Sequence, residues 1–242
     1  ELVYAAGAGA YLVATIRGSD YPPAARSLPV IGDGTQPDPE RVAATRPDLV
    51  IAWQPSAAAP LARVMDKLGV AVYYSDPQTL AAIPEAVERL GVLFGTEARA
   101  TAAAQALRAR LDALAARYAG RAPVRVFVQA GLDPIYTLNH ASIVSDALRL
   151  CGGVNVFGDA PVVAPQVGLE SVLAARPDAV LAGVSTPADT ARNQAAWRAM
   201  GLPAAQAGHV YGIDADALYR PGPRLVDAAE QLCADLDQLR QP

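Results

Sequence analysis

The sequence is short of several residue types, and each shortage removes a class of function. It has two cysteines, Cys151 and Cys233, and two histidines, His140 and His209. With no Cys-x-x-Cys pair and no Cys/His cluster, no zinc-site spacing is present and no metal ligand is assigned. Charged residues are 18% of the chain and aromatic residues 6%; the net charge is −4, with the two signs interspersed. A nucleic-acid platform would want a basic face, which this balance does not supply. No apolar run approaches the roughly 18–20 residues needed to span a bilayer. Nucleophile-elbow, P-loop and Gly-x-Gly-x-x-Gly patterns are absent as well. Asp133, His140 and Ser142 offer acid, base and nucleophile types close together, but proximity in sequence is not a site, and no catalytic residue is assigned.

What remains is a chain built to fold. Its 242 residues are 52% hydrophobic, enough to bury a sizeable core in one large domain or two modest ones. No charged-then-apolar leader opens it, and Glu1-Leu2-Val3-Tyr4 reads like the inside of an element. An upstream piece able to hold an export signal is therefore expected. For the cysteines, two buried thiols and one disulfide are both compatible with the spacing.

The most informative pattern is an internal echo. Glu40-Arg41-Val42-Ala43-Ala44-Thr45-Arg46-Pro47-Asp48-Leu49-Val50-Ile51-Ala52 returns 130 positions later as Glu170-Ser171-Val172-Leu173-Ala174-Ala175-Arg176-Pro177-Asp178-Ala179-Val180-Leu181-Ala182. Glu, Val, Ala, Arg, Pro, Asp and Val recur in register, followed by a shared Ala. Each copy predicts a short helix, a Pro-Asp turn and a buried parallel strand: the proline stops the helix, and the continuous apolar run suits a strand covered on both faces. A period this long implies two similar α/β lobes and not a solenoid.

Between the copies, Glu97–Ala119 contains no Gly or Pro and is rich in alanine, leucine and arginine, all strong helix formers. Ala100, Ala104, Leu107, Leu111, Leu114 and Tyr118 form one apolar stripe. The helix should be about 35 Å long and should act as a stiff connector. The expected organisation is an N-terminal lobe at 1–95 lacking its first strand, a connecting helix at 96–120 and a C-terminal lobe at 121–242. Strands are also predicted at 71–75, 124–129 and 209–213, with helices through 83–94, 142–150 and 223–239.

In order and spacing, several segments carry a family resemblance. They are Ser19-Asp20-Tyr21-Pro22-Pro23, Pro47-Asp48-Leu49-Val50-Ile51-Ala52-Trp53, Val126-Phe127-Val128-Gln129, Cys151-Gly152-Gly153-Val154-Asn155-Val156-Phe157, Pro165-Gln166-Val167 and Gln231-Leu232-Cys233. Across nearly its whole length the chain resembles the substrate-binding proteins of ABC importers that have a helical backbone and carry siderophores, haem and corrinoids, the cobalamin carriers above all. The resemblance implies an α/β fold of two Rossmann-like parallel-sheet lobes joined by one long rigid helix, with the ligand in the cleft between them. It implies that Cys151 and Cys233 pair as a disulfide. It also implies a periplasmic receptor, soluble or lipid-anchored and monomeric, that needs no cofactor of its own. Its cargo would be a small metal chelate, a cobalt corrinoid or alternatively an iron chelate, delivered to an ABC permease dimer in the inner membrane.

Site residues follow from the same resemblance. Glu40 and Glu170, one per repeat, match the family's docking glutamates; two separated carboxylates suit arginines on a two-fold permease, and such pairs set orientation and on-rate more than affinity. Each could also simply open its helix, where a negative charge suits the dipole. Trp53 follows the first-repeat strand, an amphipathic ring suited to covering a flat macrocycle. Tyr136 matches a ligand-facing aromatic, and Asp216-Ala217-Leu218-Tyr219-Arg220 matches the segment that hydrogen-bonds the corrinoid's periphery. Arg17 and Gly18 occupy the first cleft loop. Gly18, Gly34 and Ala164 stand where cobalamin carriers of enteric bacteria have aromatic rings, so the pocket is expected to be remodelled. A siderophore would instead draw on Arg17, Arg220 and Arg224, and haem on an axial Tyr136, His140 or Tyr219.

Overall fold

A computed structural model describes residues 1–33 and 37–241. The elements run α1 Leu2–Ala5, α2 Pro39–Ala44, β1 Leu49–Ala52, α3 Pro55–Lys67, β2 Ala71–Tyr74, α4 Ala82–Phe94, α5 Glu97–Tyr118, β3 Val124–Gln129, β4 Gly131–Leu132, β5 Ile135–Tyr136, α6 Ile143–Leu150 and β6 Gly153–Asn155. They continue with α7 Leu169–Ala175, β7 Ala179–Val184, α8 Pro187–Ala199, α9 Pro203–Gln206, β8 Val210–Asp214, α10 Ala215–Leu218 and α11 Pro223–Gln238. Two compact units result. The first comprises Glu1–Pro77 and Ile83–Gln105, the second Gln78–Ala82 and Ala106–Pro242.

The echo is visible in the backbone. In both copies an arginine within two residues of the helix end takes up the left-handed region, Arg46 at φ 48° and Arg176 at φ 45°. The following proline disfavours right-handed helix at the residue before it, so the chain turns out of the helix there and enters the strand three residues later. Where the copies differ is burial. β7 lies between β3 and β8 and is buried except for Gly183, whereas all four residues of β1 are half-buried. The expectation of a fully covered strand therefore fails for β1, which among the described residues pairs only with β2, in parallel from Leu49↔Ala71 to Ala52↔Tyr74.

In the first unit, Val42 of α2 and Leu61 and Met65 of α3 form a core against Val50 and Val72. The proline at the first position of α2 and the Asp38 side chain, which accepts from Glu40 N and Arg41 N, fix that helix start. α4 and α5 approach so closely that a Cβ at Gly91 would lie 2.2 Å from the Ala100 methyl group. The predicted stripe of α5 is buried at every position from Ala100 to Tyr118.

The second unit is built on a parallel sheet in the order β6-β3-β7-β8. From β3 the chain crosses to β6 on one side, then returns to β7 on the other, so the topology switches between β3 and β7. Phe127 centres the core with edge-on contacts to Trp197 at 5.3 Å and Phe157 at 5.8 Å. Cys151, just past α6, is bonded to Cys233 of α11 with an S–S distance of 2.00 Å and a sequence separation of 82. Closing so long a loop stabilises the fold by about 4–5 kcal/mol in the chain-entropy account. The second half of α5 is held to α11 by Arg110, which bonds Glu230 at 2.8 Å and Asp227 at 2.5 Å. Hydrogen bonding to Arg110 lowers the Glu230 pKa.

One carboxylate works against the fold. Burial of Asp235 on α11 pushes its carboxyl up from 3.8 to about 6, and burial, with a smaller contribution from the Asp235 charge, raises the Tyr211 phenol of β8. A carboxyl raised on folding contributes stability that is fully present below its unfolded value and is lost as pH rises through about 6. Asp235→Asn is therefore expected to stabilise the protein by about 1–3 kcal/mol at pH 7.5 and by little at pH 4. Thermal melts at the two pH values check this; an equal gain at both would contradict it.

Candidate functional site

Parallel strands end with backbone groups that no neighbouring turn closes, and ligands of open α/β sheets sit just beyond those carboxyl ends. In the first unit β1 and β2 end side by side. Trp53 leaves β1 with its ring 54% exposed, yet its indole N–H is not free. It donates to Asp76 Oδ1 at 2.6 Å, and the Gln54 amide donates to the other oxygen, Oδ2, at 2.7 Å. One carboxylate just past β2 thus fixes both residues that follow β1. Tyr74, the last residue of β2, is 37% exposed and pairs with Ala52, beside Trp53. The result is two aromatic side chains at one sheet end, the larger held in orientation by a charged hydrogen bond.

In the second unit the corresponding ends are closed by Tyr219. Its hydroxyl donates to Gln129 O at 3.1 Å and accepts from Gly183 N at 3.2 Å, joining the ends of β3 and β7. Burial raises the phenol's pKa, partly offset by the Gly183 N–H. A Cβ at Gly183 would fall 2.3 Å from the Tyr219 ring, so only glycine lets the ring seat there. Tyr136, 38% exposed, is presented by the β4–β5 hairpin opposite Gly131. A recess of about 300 Å³ opens among Gln129, Gly131, Gly183 and residues of α8.

The expected site residues fare differently. Trp53 directly follows β1, Tyr136 lies on the antiparallel β4–β5 hairpin, and Tyr219, just past α10, reaches the ends of β3 and β7 through its hydroxyl. Within Asp216–Arg220, Leu218 is fully buried and Ala217 nearly so. Their side chains pack inward from α10 and offer nothing to a ligand, because the short helix turns that face to the core. Asp216 and Arg220 pair with each other. Arg17 and Gly18 are exposed, the latter at φ 85°. Ala164 is exposed in a loop bracketed by bonds from Asn139 N to Val163 O and from Thr137 N to Pro165 O. Gly34 lies outside the described residues. Glu40 and Glu170 are both exposed in the first turns of α2 and α7.

The residues offered for other chemistry are used elsewhere. Ser142 caps α6 through Val144 N, and His140 is exposed, 3.6 Å from Asp159. Among the described residues no group of three or more His, Cys, Asp or Glu is placed to hold a metal ion. A second, apolar groove of about 550 Å³ lies within the first unit, bordered by Tyr4, Tyr11, Ile16, Leu49 and Ile51.

Tyr74, Asp76 and Gln129 were not read from the sequence as site residues. The signal for the first two was present, since Tyr73-Tyr74-Ser75-Asp76 ends a predicted strand as Ala52-Trp53 does. Gln129 ends the predicted strand 124–129, but nothing local marks it as reaching a recess.

Comparison with known proteins is consistent across sequence and structure. Residues 1–217 match the model of the family described as periplasmic binding protein. The chain is 38% identical over 240 residues to the vitamin B12-binding protein of Vibrio cholerae, covering 98% of this chain and 85% of that protein. The crystal structure of periplasmic vitamin B12-binding protein BtuF of Vibrio cholerae superposes with a TM-score of 0.89 at 36% identity, covering 100% of this chain and 94% of that one. The haem-binding protein RhuT of Roseiflexus sp. RS-1 has a TM-score of 0.83 at 24% identity, covering 100% of this chain and 95% of that one, a likeness in fold alone.

Replacing the carboxylate that holds Trp53 tests the geometry directly. In Asp76→Ala the Trp53 indole N–H resonance is expected to move upfield and its fluorescence anisotropy to fall, while the signal of buried Trp197 stays in place. A Trp53 signal unchanged by the substitution would contradict the anchoring bond.

Proposed function

The chain belongs to the periplasmic binding protein family, and on that premise we propose that it captures a cobalamin-like corrinoid in the periplasm and delivers it to an ABC permease of the inner membrane. The observation that carries the ligand assignment is the pair Trp53 and Tyr74 at the strand ends of the first unit. Their flat faces suit a macrocycle, and the ring of Trp53 is oriented by the protein's own bond to Asp76. Pre-orientation of this kind lowers the ordering cost of binding. Tyr136 and Tyr219 give the second unit its own aromatic surface, with Asp216 and Arg220 as polar anchors for the ligand's periphery. Arg17, Gly18 and Ala164 contribute open loop surface and no rings. The resemblance to vitamin B12-binding relatives over nearly the full chain supports the same cargo.

A haem cargo draws less support. Of its candidate axial ligands, the Tyr219 hydroxyl is engaged by the ends of β3 and β7, and His140 faces Asp159. Among the described residues no helix is long and apolar enough to cross a membrane; delivery, in our reading, is by docking. Glu40 and Glu170 take that role in our reading. They stand at the same point of the same repeated unit, exposed, one in each unit of the fold. Contacts of this sort steer and orient the complex.

Equilibrium titration with cyanocobalamin, haemin and ferric siderophores, following Trp53 fluorescence, tests the cargo. Submicromolar quenching by cyanocobalamin is expected; tight binding of haemin alone or siderophore alone would overturn the corrinoid reading. For docking, the double substitution Glu40→Ala, Glu170→Ala is expected to leave ligand affinity within about twofold while abolishing uptake in reconstituted vesicles. Unchanged uptake would remove the two glutamates from that role.

A further inference from the structure

The recess beside β3 and β7 has a polarity that none of the site residues discussed so far explains. Gln129 is only 6% exposed and lines it. The orientation of its carboxamide is fixed by chemistry: Trp197 Nε1–H is a donor only, and it bonds Gln129 Oε1 at 2.5 Å. The Gln129 NH2 group is thereby turned to the recess as a donor, with its rotation locked from behind by a buried indole.

Across the recess stands the first turn of α8. The two amides just ahead of it are engaged, because Asp189 Oδ2 accepts from Ser185 N at 3.2 Å and from Thr186 N at 2.7 Å. The other Asp189 oxygen is taken by Arg192. The wall therefore carries a carboxylate and a guanidinium that offset each other. Asn193 adds a second neutral amide to the lining. A pocket with a locked NH2 donor, a neutral amide and a balanced ion pair matches a group that is itself neutral and both donates and accepts. An anion would meet the Asp189 carboxylate, and an apolar group would strand the Gln129 donor.

We infer that this recess is a subsite for a primary carboxamide arm of the ligand, read by Gln129 and Asn193. The inference rests on the corrinoid reading above, since corrinoids carry neutral amide arms around the ring. Position supports it: two of the lining residues are partners of the aromatic residues assigned to the ligand, since Gly183 N donates to the Tyr219 hydroxyl and Gly131 pairs with Tyr136. Its volume of about 300 Å³ admits such an arm together with several waters, each occupying about 30 Å³.

The test uses Gln129→Glu at pH 8 and Asn193→Leu, with cyanocobalamin and its monocarboxylate derivatives, in which one peripheral amide is hydrolysed. The first variant keeps an acceptor for Trp197 but faces the recess with an acceptor instead of a donor. The second leaves Gln129 and Trp197 untouched. Each is expected to weaken cyanocobalamin binding about tenfold with the Trp197 indole N–H resonance retained. One monocarboxylate isomer is expected to bind the parent protein at least tenfold less tightly, and that gap should widen in Gln129→Glu, where a second carboxylate faces the ligand's own. If the parent binds cyanocobalamin and both variants bind it equally well, the subsite is overturned and the corrinoid reading stands. If the parent binds no corrinoid, both are overturned together.

Discussion

The carboxyl ends of parallel strands are the constraint on which this protein's site depends. A hairpin closes its own strand ends, whereas a parallel strand leaves its last amides and carbonyls to be satisfied by whatever follows. Here side chains do it. The Tyr219 hydroxyl bridges Gly183 N and Gln129 O in the second unit, and the Asp76 carboxylate gathers Trp53 and Gln54 in the first. Both arrangements leave an aromatic ring partly in solvent with its polar atom already engaged. A surface of this kind is rigid, flat and amphipathic, which is what a large planar ligand needs from a receptor that does no chemistry on it.

The same constraint explains why so few charges are involved. The groups around the strand ends are mutually satisfied: Asp189 with Arg192, Asp216 with Arg220, Asp76 with Trp53 and Gln54. Such pairing leaves little net field to attract a strongly anionic chelate, and favours a neutral ligand recognised by ring contact and amide hydrogen bonds. Stability is supplied elsewhere, by the aromatic core around Phe127 and by the Cys151–Cys233 bond that ties α6 to α11.

Much of this was legible in the sequence because it rests on local rules. The repeated Arg-Pro-Asp announces where each helix must stop, and the left-handed Arg46 and Arg176 are its direct expression. The stripe from Ala100 to Tyr118 is a matter of helical period alone. Trp53 could be placed because it follows a strand with no intervening turn. What could not be read depends on tertiary closure. Leu218 looks like part of a ligand loop until a one-turn helix rotates it into the core. Asp76 is separated from Trp53 by a whole helix and strand, and the amide orientation of Gln129 is set by a tryptophan 68 residues away. The half-burial of β1 likewise reflects its number of neighbours, which its apolar sequence does not encode.

We propose that a corrinoid binds at strand carboxyl ends, and amide hydrogen exchange with and without cyanocobalamin tests this most directly. Protection is expected in the segments that follow β1, β2, β3 and β7, together with 216–220, while the middle of α5 and the disulfide-linked pair α6 and α11 exchange as before. Protection confined to one unit, or concentrated in the apolar groove beside Tyr4 and Tyr11, would contradict the account.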